Sequence, residues 1–235
     1  MTTTAVPNKL ESSQIQYTDF SETMMGQLKE SKCVLNYERS DFLFRKGEQA
    51  EYIYFVQSGF IQLFRSSLDH KEHSLIVLGA GEWIGYRDAL SGGFYQHDAR
   101  SLRQTTVYRF PNSSLSLAMK ENPPFMSVLI QEMIKGWTES EERIYTLNGR
   151  KIYERLAEFL LKLEKREFAN KEEKSIPIEL NLPITRQVLA SLLGTTKESI
   201  IRALSDFRNR GWIDVYRDKI FLLNKESLIR LVESG

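Results

Sequence analysis
The sequence predicts an α+β chain in three parts: an N-terminal β-roll of jelly-roll type, a long central helix and a C-terminal winged helix-turn-helix. Three observations predict it. Short runs rich in Phe, Tyr, Ile and Val, broken at glycines, fill the first half, as in closed all-β folds. Past "ENPPF" the apolar period becomes helical. A helix, glycine turn, helix and hairpin follow in order near the C-terminus. The expected boundaries are a disordered polar tail over 1–13, the roll over 14–121, the central helix over 122–150 and the winged domain over 151–235.

Composition narrows the class. The 235 residues carry a net charge of +1 and allow one or two modest domains with a real core. A single cysteine, Cys33, excludes an intrachain disulfide framework and an iron–sulfur cluster held by four cysteines of one chain. No run of about 18 apolar residues marks a membrane span, and "MTTTAVPNKLESSQ" lacks an apolar signal core, so the expectation is a cytoplasmic protein without a membrane partner. No nucleophile–base pair, metal triad or Walker-type phosphate loop is present, which argues against an enzyme.

In the first half, "TDFSETMMGQLKESKC" has weak helical spacing. The stretch "FLFRKGEQAEYIYFVQSGFIQLFRSSLDHKEHSLIVLGAGEWIG" then reads as short strands separated at Gly47, Ser58-Gly59, Asp69-His70-Lys71 and Gly79–Gly81, and "DARSLRQTTVYRFP" continues them to Pro111. His70 and His73 fall at a hairpin turn with no third ligand in view, so no metal site is expected.

The central helix carries two adjacent apolar stripes. Ile130, Ile134, Trp137 and Ile144 form one, expected to pack on the roll. Met126, Leu129, Met133, Gly136, Ser140, Arg143 and Leu147 form the other, with the 3,4 spacing of a parallel coiled-coil seam against a second chain.

In "ITRQVLASLLGTTKESIIRALSDFRNRG" a short helix from about Thr185 to Leu193 is followed by a turn at Gly194, which tolerates positive φ. A second helix, over 196–209, is expected to start with a capping box of Thr195 and Glu198, to bury Ile200, Ile201, Leu204 and Phe207, and to stop at Gly211. "GWIDVYRDKIFLLN" reads as a hairpin around Arg217-Asp218-Lys219. Such a second helix enters the DNA major groove, where an Arg forks onto guanine and a Glu accepts from the cytosine amino group. Glu198 and Arg202 are placed for this; they are also spaced as an ordinary i,i+4 ion pair. Arg186 stands at the start of the first helix, suited to a phosphate. Residues 183–217 hold six basic and three acidic side chains, whereas residues 1–150 hold sixteen and eighteen, so positive charge gathers where nucleic acid would sit.

These residues resemble a family. Thr185-Arg186-Gln187, Gly194, Thr196-Lys197-Glu198 and Arg202 resemble the helix-turn-helix signature of the CRP/FNR family of bacterial transcription regulators. "LFRKGEQAEYIYFVQSGFIQLFR" resembles its first β-roll hairpins, and "GEWIG" its cyclic-nucleotide-binding cassette. The likeness runs from about residue 35 to the C-terminus in the family's order. It implies a cyclic-nucleotide-binding-like roll, a dimerisation helix and a homodimer reading a palindrome in double-stranded DNA, with RNA polymerase as a further partner. It also implies base contacts from Lys197, Glu198 and Arg202 and phosphate contacts from Arg186, Thr185 and Thr196. Lys197 stands where the family often has Arg, and it lacks the planar fork.

The resemblance places a possible effector pocket at Gly81, Glu82, Gly85, His97, Asp98 and Ser140. In cyclic-nucleotide-binding relatives an Arg followed by a hydroxyl residue holds the cyclic phosphate; here His97-Asp98-Ala99 align there. Near neutrality a His is mostly uncharged, and an Asp beside a phosphate repels it. A second register places Arg100-Ser101 at the anchor. The expectation is a regulator that does not bind cyclic AMP, has no cofactor and answers to an unknown small molecule or to none. Rival readings are a cyclic-nucleotide- or haem-responsive regulator of the same family, with His70, His73, His97 or Cys33 as the axial ligand, and an interaction module that does not bind DNA.

Overall fold
The computed structural model describes residues 17–168, 177–180, 183–216 and 219–234. The expected tail over 1–13 and the hairpin tip at Arg217 and Asp218 lie outside the described residues. A first helix, α1 (Tyr17–Leu28), leads into eight strands: β1 (Cys33–Tyr37), β2 (Phe42–Phe44), β3 (Tyr52–Ser58), β4 (Phe60–Ser66), β5 (Glu72–Gly79), β6 (Trp83–Ile84), β7 (Asp98–Ser101) and β8 (Thr105–Pro111). A short helix, α2 (Tyr86–Leu90), interrupts them. The strands form two antiparallel four-stranded sheets, in the orders β1-β8-β3-β6 and β2-β7-β4-β5.

Alternation explains the roll. Side chains on one face of each strand, among them Phe44, Tyr54, Val56, Ile61, Leu63, Ala99 and Val107, fill its interior. Phe44 stacks on Tyr95 with ring centroids 3.7 Å apart. The opposite face of the first sheet presents Ile53, Trp83 and Phe110 to α1, α3 (Asn112–Glu121) and the start of α4 (Pro123–Gly149), where Met24, Leu28, Leu115, Phe125 and Leu129 complete a second core. Between β3 and β4 the turn needs Gly59 twice over: its φ is +93°, and a β-carbon there would collide with Thr105.

Helix α4 has 27 residues, so at 1.5 Å per residue it is about 40 Å long. Phe125 and Leu129 are each 1% exposed against the roll. Farther along, the Arg143 guanidinium donates to the carbonyls of Leu75 and Leu192, and Leu147 reaches the Gly194 turn. On the outward side Ile130, Met133, Ile134, Trp137, Ile144 and Tyr145 are between 45% and 69% exposed. This splits the expected seam between the two sides of the helix, since Met133 and Ser140 stay exposed as expected. Leu129, Arg143 and Leu147, expected on an intermolecular seam, are engaged within the chain, and Gly136 lies toward Arg87 of α2. Ile130, Ile134, Trp137 and Ile144, expected on the roll, face outward together with Met133 and Ser140. The stripes are neighbours on one broad apolar face, and the anchoring of Phe125 and Leu129 in the roll fixes the helix rotation.

The last part comprises α5 (Ile152–Phe168), β9 (Ile178–Leu180), α6 (Arg186–Leu192), α7 (Lys197–Asn209), β10 (Ile213–Tyr216), β11 (Lys219–Leu222) and α8 (Lys225–Glu233). Its three strands form one antiparallel sheet in the order β10-β11-β9. Leu156, Leu160, Leu189, Ile200, Leu204, Phe207, Ile213 and Leu228 build a core of its own. Helix α6 docks on the roll, where the Ser74 amide donates to the Ser191 hydroxyl at 2.7 Å. Among the described residues no helix is long and apolar enough to cross a membrane.

Candidate nucleic-acid interface
The second helix of the motif is presented by two local devices. Thr185 caps α6 by accepting from the Val188 amide at 3.2 Å, so Arg186 opens the first turn. Gly194 then adopts φ +59°, and the Thr195 amide donates to the Ala190 carbonyl at 2.9 Å, closing the turn. Thr196 caps α7 by accepting from the Ser199 amide at 3.2 Å, with the two hydroxyls 3.1 Å apart. The expected capping box of Thr195 and Glu198 is therefore corrected by one residue. Two adjacent threonines compete for the cap, and the geometry of the Gly194 turn selects the second.

That shift matters for the outward face. Helix α7 buries Ile200, Ala203, Leu204 and Phe207. Lys197, Glu198, Ile201, Arg202, Ser205 and Asn209 are exposed. Among the described residues, Glu198 and Arg202 form no ion pair with each other, so the spacing that allowed a helix salt bridge is not used for one. Ile201, expected in the core, is 49% exposed and stands in the same row as Glu198, Arg202 and Ser205. With Ile200 next to it on the core side, one of the pair has to face out, because neighbouring helix positions are about 100° apart.

Charges away from that row are engaged. Arg208 pairs with Asp214 of β10 at 3.1 Å, and Lys219 with Glu179 at 2.6 Å across β11 and β9. Asp206 accepts the Tyr153 hydroxyl, and this bond raises the Tyr153 pKa above its ordinary value. Arg210 lies over the Trp212 ring, 5.0 Å from its centroid. The far side of the unit is closed by α8, which the sequence reading did not single out. Its cap, Asn224, accepts from the Ser227 amide at 3.0 Å, and Lys225 pairs with Glu164 of α5 at 2.9 Å.

The roll's cassette is arranged differently. The Glu82 carboxylate accepts from the Gly79 amide at 2.6 Å, closing the β5–β6 turn in which Gly81 has φ +91°. Gly85 precedes α2 with φ +84°, and a β-carbon there would come within 3.2 Å of the Tyr52 carbonyl and the Tyr95 ring. Asp98 accepts from the Lys46 amide at 3.1 Å. His97 is half-buried; desolvation lowers its pKa, Asp88 opposes this, and Arg65, Arg87 and Lys46 add to the lowering. Those three cations come from β4, α2 and the β2–β3 connection, which no local motif reveals. Ser140 donates to the Gly136 carbonyl at 2.7 Å within α4. Arg100 forks onto Glu72 at 2.9 and 2.6 Å, and the Ser101 hydroxyl donates to the Glu38 carbonyl, so both are committed to the fold.

Comparison with known proteins agrees with this architecture. A cyclic nucleotide-binding domain matches residues 34–122, and a Crp-like helix-turn-helix domain matches residues 154–231. The chain is 28% identical over 201 residues to the global nitrogen regulator of Nostoc sp. PCC 7120, covering 84% of this chain and 88% of that one. It is 26% identical over 194 residues to the fumarate and nitrate reduction regulatory protein of Escherichia coli K12, covering 83% and 76%. The structure of FixK2 from Bradyrhizobium japonicum superposes with a TM-score of 0.76 at 23% identity, covering 85% of this chain and 96% of that one. A roll that matches the cyclic nucleotide-binding domain, followed by a long helix and a winged helix that matches the Crp-like helix-turn-helix domain, places the chain in the CRP/FNR family of DNA-binding transcription regulators, which are not enzymes.

Proposed function
We propose that the protein acts as a homodimer on a two-fold symmetric operator, with α7 of each chain in a major groove. The observation that carries this reading is the outward row of α7. Glu198 and Arg202 are exposed and not paired with each other, on a helix capped by Thr196 and held by its own core. Lys197, Glu198 and Arg202 contact base edges, while Arg186, Thr185 and Thr196 meet phosphates. Ile201 adds an apolar side chain to the row, the chemistry that meets a thymine methyl group. The exposed stripe of Ile130, Met133, Trp137, Ser140 and Ile144 supports dimerisation, because it repeats at alternating spacings of three and four residues along α4. RNA polymerase is the proposed protein partner at the promoter.

The roll then senses an effector other than cyclic AMP, or none. Glu82 is engaged by its own turn, His97 is held toward its neutral form and the Asp98 carboxylate accepts from the Lys46 amide. Selection from a random DNA pool tests the reading. The expected result is a palindrome with half-sites about one helical turn, ~34 Å, apart. Sedimentation of Trp137→Glu is expected to give a monomer that has lost operator binding. A dimeric Trp137→Glu protein overturns the assignment of the interface. Cyclic AMP that binds in calorimetry and raises operator affinity overturns the effector reading.

A further inference from the structure
At the junction of the roll, α4 and the winged domain lies a cavity of about 530 Å³, within the range of small-molecule sites. Ile76 and Val77 of β5, Phe159 and Leu163 of α5, and Leu192 and Leu193 at the end of α6 give it mostly apolar walls. Its polar groups are unbalanced. The Arg143 guanidinium donates to the backbone carbonyls of Leu75 and Leu192. Arg155 donates to those of Leu193, at 2.7 Å, and Gly194, at 3.4 Å. Among the described residues neither has a carboxylate partner, and the buried Nε–H of Arg155 has no acceptor. The acids nearby do not supply one. Glu158 is held by Lys162 at 2.5 Å and faces Arg150 at 3.6 Å, and Glu139 and Glu142 stand on the exposed rim.

Both arginines are half-buried; a shielded donor without an acceptor, as at Arg155 Nε, is destabilising, and a half-buried cation without a counter-charge leaves room for an anion. Desolvation alone holds the Arg143 pKa below its ordinary value, in keeping with that shortage. We propose that this cavity binds a medium-chain monocarboxylate, its carboxylate on the Arg155 and Arg143 guanidiniums and its tail against Phe159, Leu163 and Leu192. An apolar body fits the walls, and one negative charge fits the uncompensated cations. The site goes beyond the operator reading and is separate from the roll's cassette. Because its walls come from three parts of the chain, a ligand there favours their present arrangement over any in which α6 leaves β5.

The full chain, free of DNA, tests this with three probes of equal length: decanoate, decanol and decylamine. Decanoate is expected to saturate at one per chain in calorimetry, to raise the melting temperature, and to bind at least tenfold more tightly than either of the others. Thr146→Trp, a half-buried rim position, fills the cavity and is expected to abolish the binding. Arg155→Met is expected to narrow the preference for decanoate over decanol severalfold, with Arg143 supplying what remains. Removing Arg155 also removes its bonds to Leu193 and Gly194, so the decisive variant is Thr146→Trp with a melting temperature equal to the parent's. Absence of saturable decanoate binding, equal binding of decanol, or unchanged binding in Thr146→Trp overturns the proposal. None of these results bears on operator selection, so the two readings fail separately.

Discussion

The start of α7 and the roll's cassette are both built on glycine-marked turns, yet their charged residues are used in opposite ways. At α7 the cap is a neutral hydroxyl, Thr196, and the charged neighbours Lys197, Glu198 and Arg202 remain exposed. In the cassette the charged residue itself closes the turn: Glu82 accepts from Gly79, and Asp98 from the Lys46 amide. A motif that caps itself with an uncharged side chain leaves its charges for a partner. One that closes its turn with a carboxylate has already committed that charge.

Four substitutions sharpen that contrast. Glu82→Ala is expected to destabilise the roll most, by about 1.5–3 kcal/mol, the range for a hydrogen bond to a charged group, with operator discrimination unchanged. Chemical denaturation checks it, and a parent-like midpoint would show the carboxylate to be free for a ligand. Arg202→Ala is the mirror case: parent-like stability, with a loss of about 1–3 kcal/mol in discrimination at one base pair per half-site. Competition binding against single-base operator variants reads this out, and retained discrimination would remove Arg202 from the reading row. Thr196→Ala costs about 1 kcal/mol of winged-domain stability, while Thr195→Ala costs less, separating the two candidate caps by denaturation.

The smallest effect is a pH dependence at His97. Its folded pKa lies below the ordinary 6.5, so the unfolded chain takes up this proton first as pH falls. The contribution to stability is complete above about 6.5 and diminishes as pH drops through that value toward the folded pKa. His97→Gln is expected to flatten this part of the stability–pH curve, measured as melting temperature between pH 7.5 and 5. An unchanged slope would mean that His97 is not held neutral by burial.

Two faces of α4 give the same lesson about legibility. The residues that form an apolar face were evident from spacing, but the spacing supports two adjacent stripes equally well. Leu129 and Met133 are one helical turn apart; one is 1% exposed and the other 45%. Only the position of the roll under Phe125 and Leu129 separates them. Similarly, the choice between Ile200 and Ile201 depends on where the α7 core sits. The cations around His97 and the pairing of Arg143 with Leu75 and Leu192 join residues distant in sequence, and no local pattern encodes them.

By itself, the sequence determined the order of the three parts, the strands of the roll, the glycine turns and the second helix of the motif with Glu198 and Arg202 outward. Periodicity, turn chemistry and helix propensity act over a few residues and are written locally. Tertiary structure decided which stripe of α4 stays exposed, which threonine caps α7, how the cassette's charges are committed, and that a cavity with two carbonyl-bound arginines lies between β5, α5 and α6. Each of these depends on how one element is rotated and seated against another, a property of packing that neither element carries alone.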